Sequence, residues 1–317
     1  MTRHCSTDID IAGDLIRDGE LVAMPTETVY GLAADATNDR AIAKIYETKG
    51  RPQFNPLIAH VSDAEMAADF VHIPPTAINL IEAFWPGALT LVLERTASCA
   101  VSRLASAGLS TLAIRAPAHP IARALIANVG KPLAAPSANR SGSMSPTIPD
   151  HVAQSLGPRA PFILDGGSCE IGVESTIVRI DNNKLTLLRP GGIPLEALEE
   201  VANQKIELRT QTKTIEAPGM LESHYAPSVP LRTDVTDPSA SEAFLAFGAS
   251  VDHPNQRNLS PVGDLTEAAA NLFTYLHELD ALCKKQGLER IAAAPVPLSG
   301  LGRAINDRLT RAAATRP

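Results

Sequence analysis

Aromatic residues make up only 4% of this 317-residue sequence, with one tryptophan. Cysteine is scarce too: Cys5, Cys99, Cys169 and Cys283 form no CxxC pair and have no histidine at ligand spacing. That excludes a zinc-ribbon pattern and a disulfide framework, and leaves reduced, mostly structural thiols. Apolar runs such as Leu89 to Leu93 fall far short of the ~20 residues a bilayer needs, and the polar start MTRHCSTDID lacks a signal-peptide core. A cytoplasmic protein with no membrane partner is expected. Clustered positive charge is also missing. The net charge is −7, with 19 basic against 25 acidic residues up to position 229 and 9 against 10 beyond it. Strong stand-alone nucleic-acid binding is not expected of such a chain.

Familiar catalytic signatures are absent as well. Gly130-Lys131 is followed by Pro132 where a phosphate loop needs Ser or Thr. Gly300-Leu301-Gly302 has Ile305 where a dinucleotide-binding turn needs its third glycine. No HExxH, no GxSxG and no nucleophile-base pairing is present. No protein-held metal site is evident.

What the chain does have is a 44% hydrophobic composition and a length sufficient for two domains. Leu21 to Met24 reads as a strand closed by Pro25. A helix capped by Asn38 or Asp39 carries Ile42, Ile45 and Tyr46 and ends at Gly50. A second helix spans Thr76 to Trp85, with Ile78, Ile81, Phe84 and Trp85 as its apolar stripe. Leu89 to Leu93 reads as a buried strand. In Thr111 to Arg115, alternation places Thr111, Ala113 and Arg115 on one face and Leu112 and Ile114 on the other. Pro120 opens a helix through Ile126, Thr147 to Leu156 is helical, and Phe162 to Leu164 is a strand. Ser175 to Ile180 and Lys184 to Leu188 flank Asp181-Asn182-Asn183 as a hairpin. Together these imply a mixed rather than purely parallel sheet. Residues 206 to 229 lose periodicity and carry several prolines, which suggests a linker. A small α/β domain then follows, with a strand at Phe244 to Phe247, a long helix from Thr266 to Gln286, a strand at Ile291 to Val296 and a helix from Arg303 to Ala313.

The chemistry-bearing residues seek anions. In "KGRPQFNPL", Lys49 and Arg51 bracket a helix-ending glycine and suit phosphates, although a lysine there also complements the helix dipole. Arg115, on its strand face with Thr111, suits either a substrate carboxylate or an internal salt bridge. "APSANRSGSMSPT", Ala135 to Thr147, holds five hydroxyls and no carboxylate. Set between a strand and a helix that starts near Ser145 to Thr147, it reads as a wall of donors for an anion rather than a linker. Thr26, Thr28 and Tyr30, Ser175 and Thr176, and His60 each also have an ordinary structural reading.

Taken together, "PTETVYGL", "KGRPQFNPL", "FWPGALT", "TLAIRAP", "APSANRSG", "SPT", "GVESTI", "LRPG" and "APGMLESHYAP" resemble the threonylcarbamoyl-AMP synthase family, the YrdC-like fold, in its longer two-domain form. The resemblance implies a twisted, open mixed α/β sheet with a concave, positively lined cavity over residues 1–205. It further implies a linker or lid at 206–229 and a small Rossmann-like α/β domain at 230–317. The implied activity makes threonylcarbamoyl-adenylate and pyrophosphate from L-threonine, bicarbonate and ATP with Mg2+. The adenylate passes to a tRNA-modifying transferase. Carried over residue by residue, Lys49, Arg51, Ser137 and Asn139 contact ATP phosphates. Asn55, Thr111, Ser145, Arg189 and Tyr225 line the nucleotide side, and Thr28, His60, Arg115 and Ser175 hold threonine. The competing readings are a non-catalytic tRNA or double-stranded-RNA binder and a carbamoyl-transferring relative. The overall acidity weighs against the first. The second normally carries zinc-finger and acylphosphatase-like segments, and none is seen here.

Overall fold

The computed structural model describes residues 5–209, 217–218, 223–249 and 251–315. Part of the proline-punctuated linker, including Gly219 to Glu222 of "APGMLESHYAP", lies outside the described residues.

One large sheet is built from β1 (Cys5–Ser6), β2 (Val22–Met24), β3 (Gly31–Asp35), β4 (Ile58–His60), β5 (Leu89–Glu94), β6 (Thr111–Arg115), β7 (Leu133–Ala134), β8 (Phe162–Leu164), β9 (Thr176–Asp181), β10 (Lys184–Arg189) and β11 (Glu207–Leu208). Its 11 strands run in the order β1-β8-β2-β3-β7-β4-β6-β5-β9-β10-β11. Parallel pairs such as β4 with β6 and β5 with β9 alternate with antiparallel ones such as β5 with β6 and β9 with β10. The sheet is therefore mixed, as the hairpin required. Asn182 and Asn183 both take positive φ at the hairpin turn, a geometry asparagine tolerates well. The linker does not start as coil, because β11 pairs in parallel with β10.

The helices are α1 (Ile9–Arg17), α2 (Asp39–Lys49), α3 (Ala64–Ala68), α4 (Pro75–Phe84), α5 (Pro120–Val129), α6 (Pro149–Leu156), α7 (Leu195–Ala202), α8 (Leu265–Gln286) and α9 (Gly302–Ala313). Helix α2 starts where Asn38 Oδ1 accepts the amides of Arg40 and Ala41, and stops where Gly50 enters the left-handed region at φ 59°. Two local expectations shift. In α4 the buried positions are Ala77, Leu80 and Ile81, so Ile78 points outward. The other helix begins at Pro149, not at Ser145 to Thr147, because Thr147 instead engages the His151 ring through its amide at 3.3 Å and its hydroxyl.

Apolar alternation divides the large sheet into faces. Leu91, Leu93, Leu112, Ile114 and Val178 join the main core with Ile42, Ile45 and Leu80. The alternate residues Ile58, Val92, Ala113, Ile177 and Leu188 form a small apolar floor on the opposite face, joined by Ala217 from between β11 and the second sheet. Helices α1 and α5 pack together over β2, β3 and β7.

A second sheet comprises β12 (Leu231–Arg232), β13 (Glu242–Ala246), β14 (Gln256–Asn258) and β15 (Arg290–Ala293), in the order β12-β15-β13-β14 with every pair parallel. Helix α8 packs on it, and its Leu272 and Phe273 share one buried cluster with Val29, Met144, Val173 and Tyr225 of the preceding chain. The approach is close: a Cβ on Gly172, whose φ is +74°, would sit 2.4 Å from the Ala269 carbonyl oxygen. Among the described residues, no helix is long and apolar enough to cross a membrane.

Candidate active site

The apolar floor ends in polar side chains of the same parity. His60 pairs in register with Arg115, and Thr90 on β5 and Ser175 just before β9 bring their hydroxyls to 2.8 Å. A cavity opens there, lined by Thr26, Thr28, Arg51, His60, Arg115, Ser137, Glu174, Ser175, Arg189, Pro218, His224 and Tyr225. It thus collects Thr28, Arg51, His60, Arg115, Ser137, Ser175, Arg189 and Tyr225 from the residues expected by sequence.

At one end Arg115 is 3% exposed and held on three sides. Its Nε donates to the Gly87 carbonyl at 3.0 Å, Nη1 to Thr28 Oγ1 at 3.0 Å and Nη2 to Glu27 Oε1 at 2.6 Å. Of the two readings open at the sequence level, the internal ion pair is present. It still leaves two of the five guanidinium N–H groups for a ligand carboxylate. Thr26 Oγ1 donates to the Val29 carbonyl at 2.6 Å, so the Thr28 hydroxyl, 2.8 Å away, donates to Thr26 while accepting from Arg115. His60 donates from Nδ1 to the Ile58 carbonyl. Burial, then Arg115, pushes its pKa down to about 3, so the ring is neutral at physiological pH.

At the other end the cations are spread over three elements. Lys49 does not itself line the cavity; it is buried at the end of α2 and donates to the carbonyls of Ser137 and Asn139, tying the helix to the hydroxyl-rich loop. Burial and then Arg51 hold its ammonium well below the ordinary lysine value, while Glu174 opposes that shift. Arg51 donates to the Asn55 and Pro56 carbonyls and is lowered to about 10, with burial the largest cause. Arg189 closes on Ser175 through its carbonyl at 2.8 Å and its Oγ at 3.2 Å. The "LRPG" turn fits over this loop only with glycine, since a Cβ on Gly191 would lie 2.3 Å from the Glu174 carbonyl oxygen.

The remaining expected residues stand behind or beside the cavity. Asn139 donates to the Arg140 and Ser143 carbonyls. Its Oδ1 and both side-chain polar atoms of Asn55 are buried without a partner among the described residues. Such orphans are what a ligand-binding wall leaves when no ligand is present. Ser145 donates to Glu174 Oε1 at 2.5 Å, so its proton is already committed. Thr111 is not brought to the cavity. It sits beyond Ala113 on the same strand, in a groove with His72, Glu94 and Arg179.

Sequence reasoning passed over Glu27, Glu174, His224 and Arg308. The first two lie inside the quoted "PTETVYGL" and "GVESTI", where an acid between hydroxyl residues opposite a buried arginine was the available signal. His224 and Tyr225 enter from the segment that precedes the second sheet in edge-on contact, with ring centroids 4.0 Å apart.

Two family models cover this architecture. One, Sua5_yciO_yrdC, described as telomere recombination, matches residues 14–191. The other, the threonylcarbamoyl-AMP synthase C-terminal domain, matches residues 193–314. The chain belongs to the threonylcarbamoyl-AMP synthase family. Within that family it is 41% identical to the threonylcarbamoyl-AMP synthase of Pyrococcus abyssi, over 97% of this chain and 94% of the relative. It is 40% identical to that of Bacillus subtilis, over 96% and 92%. The crystal structure of P. abyssi Sua5 complexed with L-threonine matches with a TM-score of 0.87 and 39% identity, covering 96% of this chain and 94% of that one.

Proposed function

We propose that this chain is a nucleotidyltransferase that makes threonylcarbamoyl-AMP and pyrophosphate from L-threonine, bicarbonate and ATP. One observation carries the reading. A single cavity joins a fixed guanidinium fork beside hydroxyls to a separate group of cations beside orphaned amides. The first end suits an amino acid and the second a triphosphate.

In this reading Arg115 takes the threonine carboxylate, with Thr28, His60 and Ser175 around the amino acid. Neutral His60 adds no charge to compete with the threonine ammonium. Bicarbonate takes up the ammonium proton and loses water to become carbon dioxide; the neutral amine adds to that carbon and, releasing one proton to solvent, gives a carbamate. A carbamate oxygen then attacks the α-phosphorus in line, and the bond to the β-phosphate oxygen breaks with release of pyrophosphate. No protein nucleophile takes part, so the cleft works by holding anions in line and stabilising charge on the leaving group. Lys49, Arg51, Ser137 and Asn139 would serve the phosphates, and Asn55, Ser145, Arg189 and Tyr225 the rest of the nucleotide. Thr111 would join only if the nucleotide extended across the apolar floor. Among the described residues, the carboxylates in or beside the cavity, Glu27 and Glu174, are engaged by arginines, a donor set that fits Mg2+ carried by ATP rather than by the protein. When bound, that ion supplies charge neutralisation on the phosphates.

A tRNA-modifying transferase would receive the adenylate, in the compartment where tRNA is modified. The test is pyrophosphate release from ATP with threonine and bicarbonate added singly and together. Release is expected only with both present, and release independent of threonine would overturn the reading.

A further inference from the structure

Glu174 is a carboxylate in the cavity lining, among the cations assigned above to the nucleotide. Its charge acts on Lys49 and on Arg189. A free carboxylate there would neutralise those cations and repel ATP. Its oxygens are both engaged: Oε1 accepts from Ser145, and Oε2 accepts from Arg308 Nε at 2.7 Å. Arg308 comes from α9 in the second sheet's layer, 134 positions further along the chain, and is 0% exposed. Its Nη1 donates to Asp307 at 2.6 Å, and its guanidinium carbon lies 5.1 Å from the centre of the Tyr225 ring. Its Nη2 has no partner among the described residues. A buried arginine that reaches from the far domain to the rim of the catalytic cavity is more than an interface filler, since apolar residues fill interfaces without its desolvation cost.

We propose that Arg308 is a positioning residue of the synthase reaction: by holding Glu174, it keeps that carboxylate off Lys49 and Arg189 and leaves those cations to ATP. The proposal rests on the synthase reading. It gives the C-terminal domain a direct part in nucleotide affinity, with no contact between Arg308 and the reacting atoms.

The experiment compares wild type, Arg308→Gln, Glu174→Gln and the double variant by pyrophosphate-release kinetics and by calorimetric titration with ATP alone. Arg308→Gln should raise the ATP KM by roughly tenfold or more and move the threonine KM by less than about threefold, because the released carboxylate opposes only the triphosphate. Glu174→Gln should tighten ATP binding. The double variant should recover to within about threefold of wild type, since removing the second charge cures the loss of the first. Equal rises in both KM values, a weakened Glu174→Gln, or a double variant no better than Arg308→Gln would each overturn the proposal. Should Arg308→Gln fail to fold, Glu174→Gln alone decides, because weaker ATP binding there contradicts the role. If wild type released no pyrophosphate the synthase reading would fall, while the ATP titrations would still score the charge effect.

Discussion

Acidification from about pH 7.5 to about pH 5 should loosen the contact between α6 and α8 before either sheet melts. His151 on α6 stacks on His277 of α8, with ring centroids 3.9 Å apart and planes 18° from parallel. Around them, Thr147 and Thr274 join hydroxyls at 3.0 Å, His277 donates to the Ser145 carbonyl, and Asp280 and Lys284 act on His277 with opposite signs. Burial, then His277, pushes the His151 pKa down to about 3 from an ordinary 6.5. His224 is likewise pushed down to about 3, chiefly by burial. Because each folded value lies below the unfolded one, the stabilisation is fully present above pH 6.5 and is lost progressively as pH falls toward 3. At about pH 5 the opened form has gained about 1.5 pH units of proton affinity, or about 2 kcal/mol for each histidine. That is a large share of the ~5 to 15 kcal/mol that stabilises an ordinary domain. Protonation of His151 at Nδ1 would also turn the acceptor of the Thr147 amide into a second donor. The carboxylates Glu27, Glu174, Glu242 and Asp280 all have lowered values, so their contributions disappear only below about pH 4.5 and do not confuse this window. Scanning calorimetry and small-angle scattering across the range would show a falling midpoint and an expanding particle. A His151→Gln variant should flatten the pH dependence. A midpoint constant down to about pH 5, or a variant profile that superimposes on wild type, would refute the reasoning.

Three further outcomes are expected. Arg115→Ala should raise the threonine KM by roughly 10- to 100-fold with little change for ATP, since a hydrogen bond to a charged group is worth about 1.5–3 kcal/mol; steady-state kinetics with each substrate varied will measure this. Serine, which lacks one methyl group, should be a slow substrate rather than an excluded one. The difference in kcat/KM is expected at roughly 10- to 200-fold in the pyrophosphate assay. Tyr225→Ala empties a buried position between His224 and Phe273 and under Arg308, so kcat/KM for ATP should fall by at least about tenfold, measured beside a thermal-shift control for folding.

Much of the cleft face was legible because strands obey a period of two. Once Leu112 and Ile114 were assigned to the core, Arg115 had to face the other way, and the structure puts His60 opposite it in register. Helix ends were legible where a capping residue marks them, as Asn38 does for α2 by its side chain and Gly50 by its left-handed backbone, and illegible at α6, whose entry has no side-chain cap. Ile78 misled because apolar identity marks a candidate face, while the packing of α4 against α7 selects the face used. The two glutamates were hidden by a rule of composition: an acid beside anion-binding residues looks out of place until its arginine is known. Arg308 was beyond reach, since nothing local announces a partner so far away along the chain.

Both borders of the large sheet are strands of only two residues, β1 and β11. Strands that short offer a passing chain almost no ladder to extend. Cutting the polypeptide just before Glu207 would strip that guard from β10, a six-residue strand carrying Leu185, Leu187 and Leu188, and leave it as an open border. A shortened version of this protein is thus expected to aggregate through that strand unless a charged residue or a proline is built in to replace the missing cover.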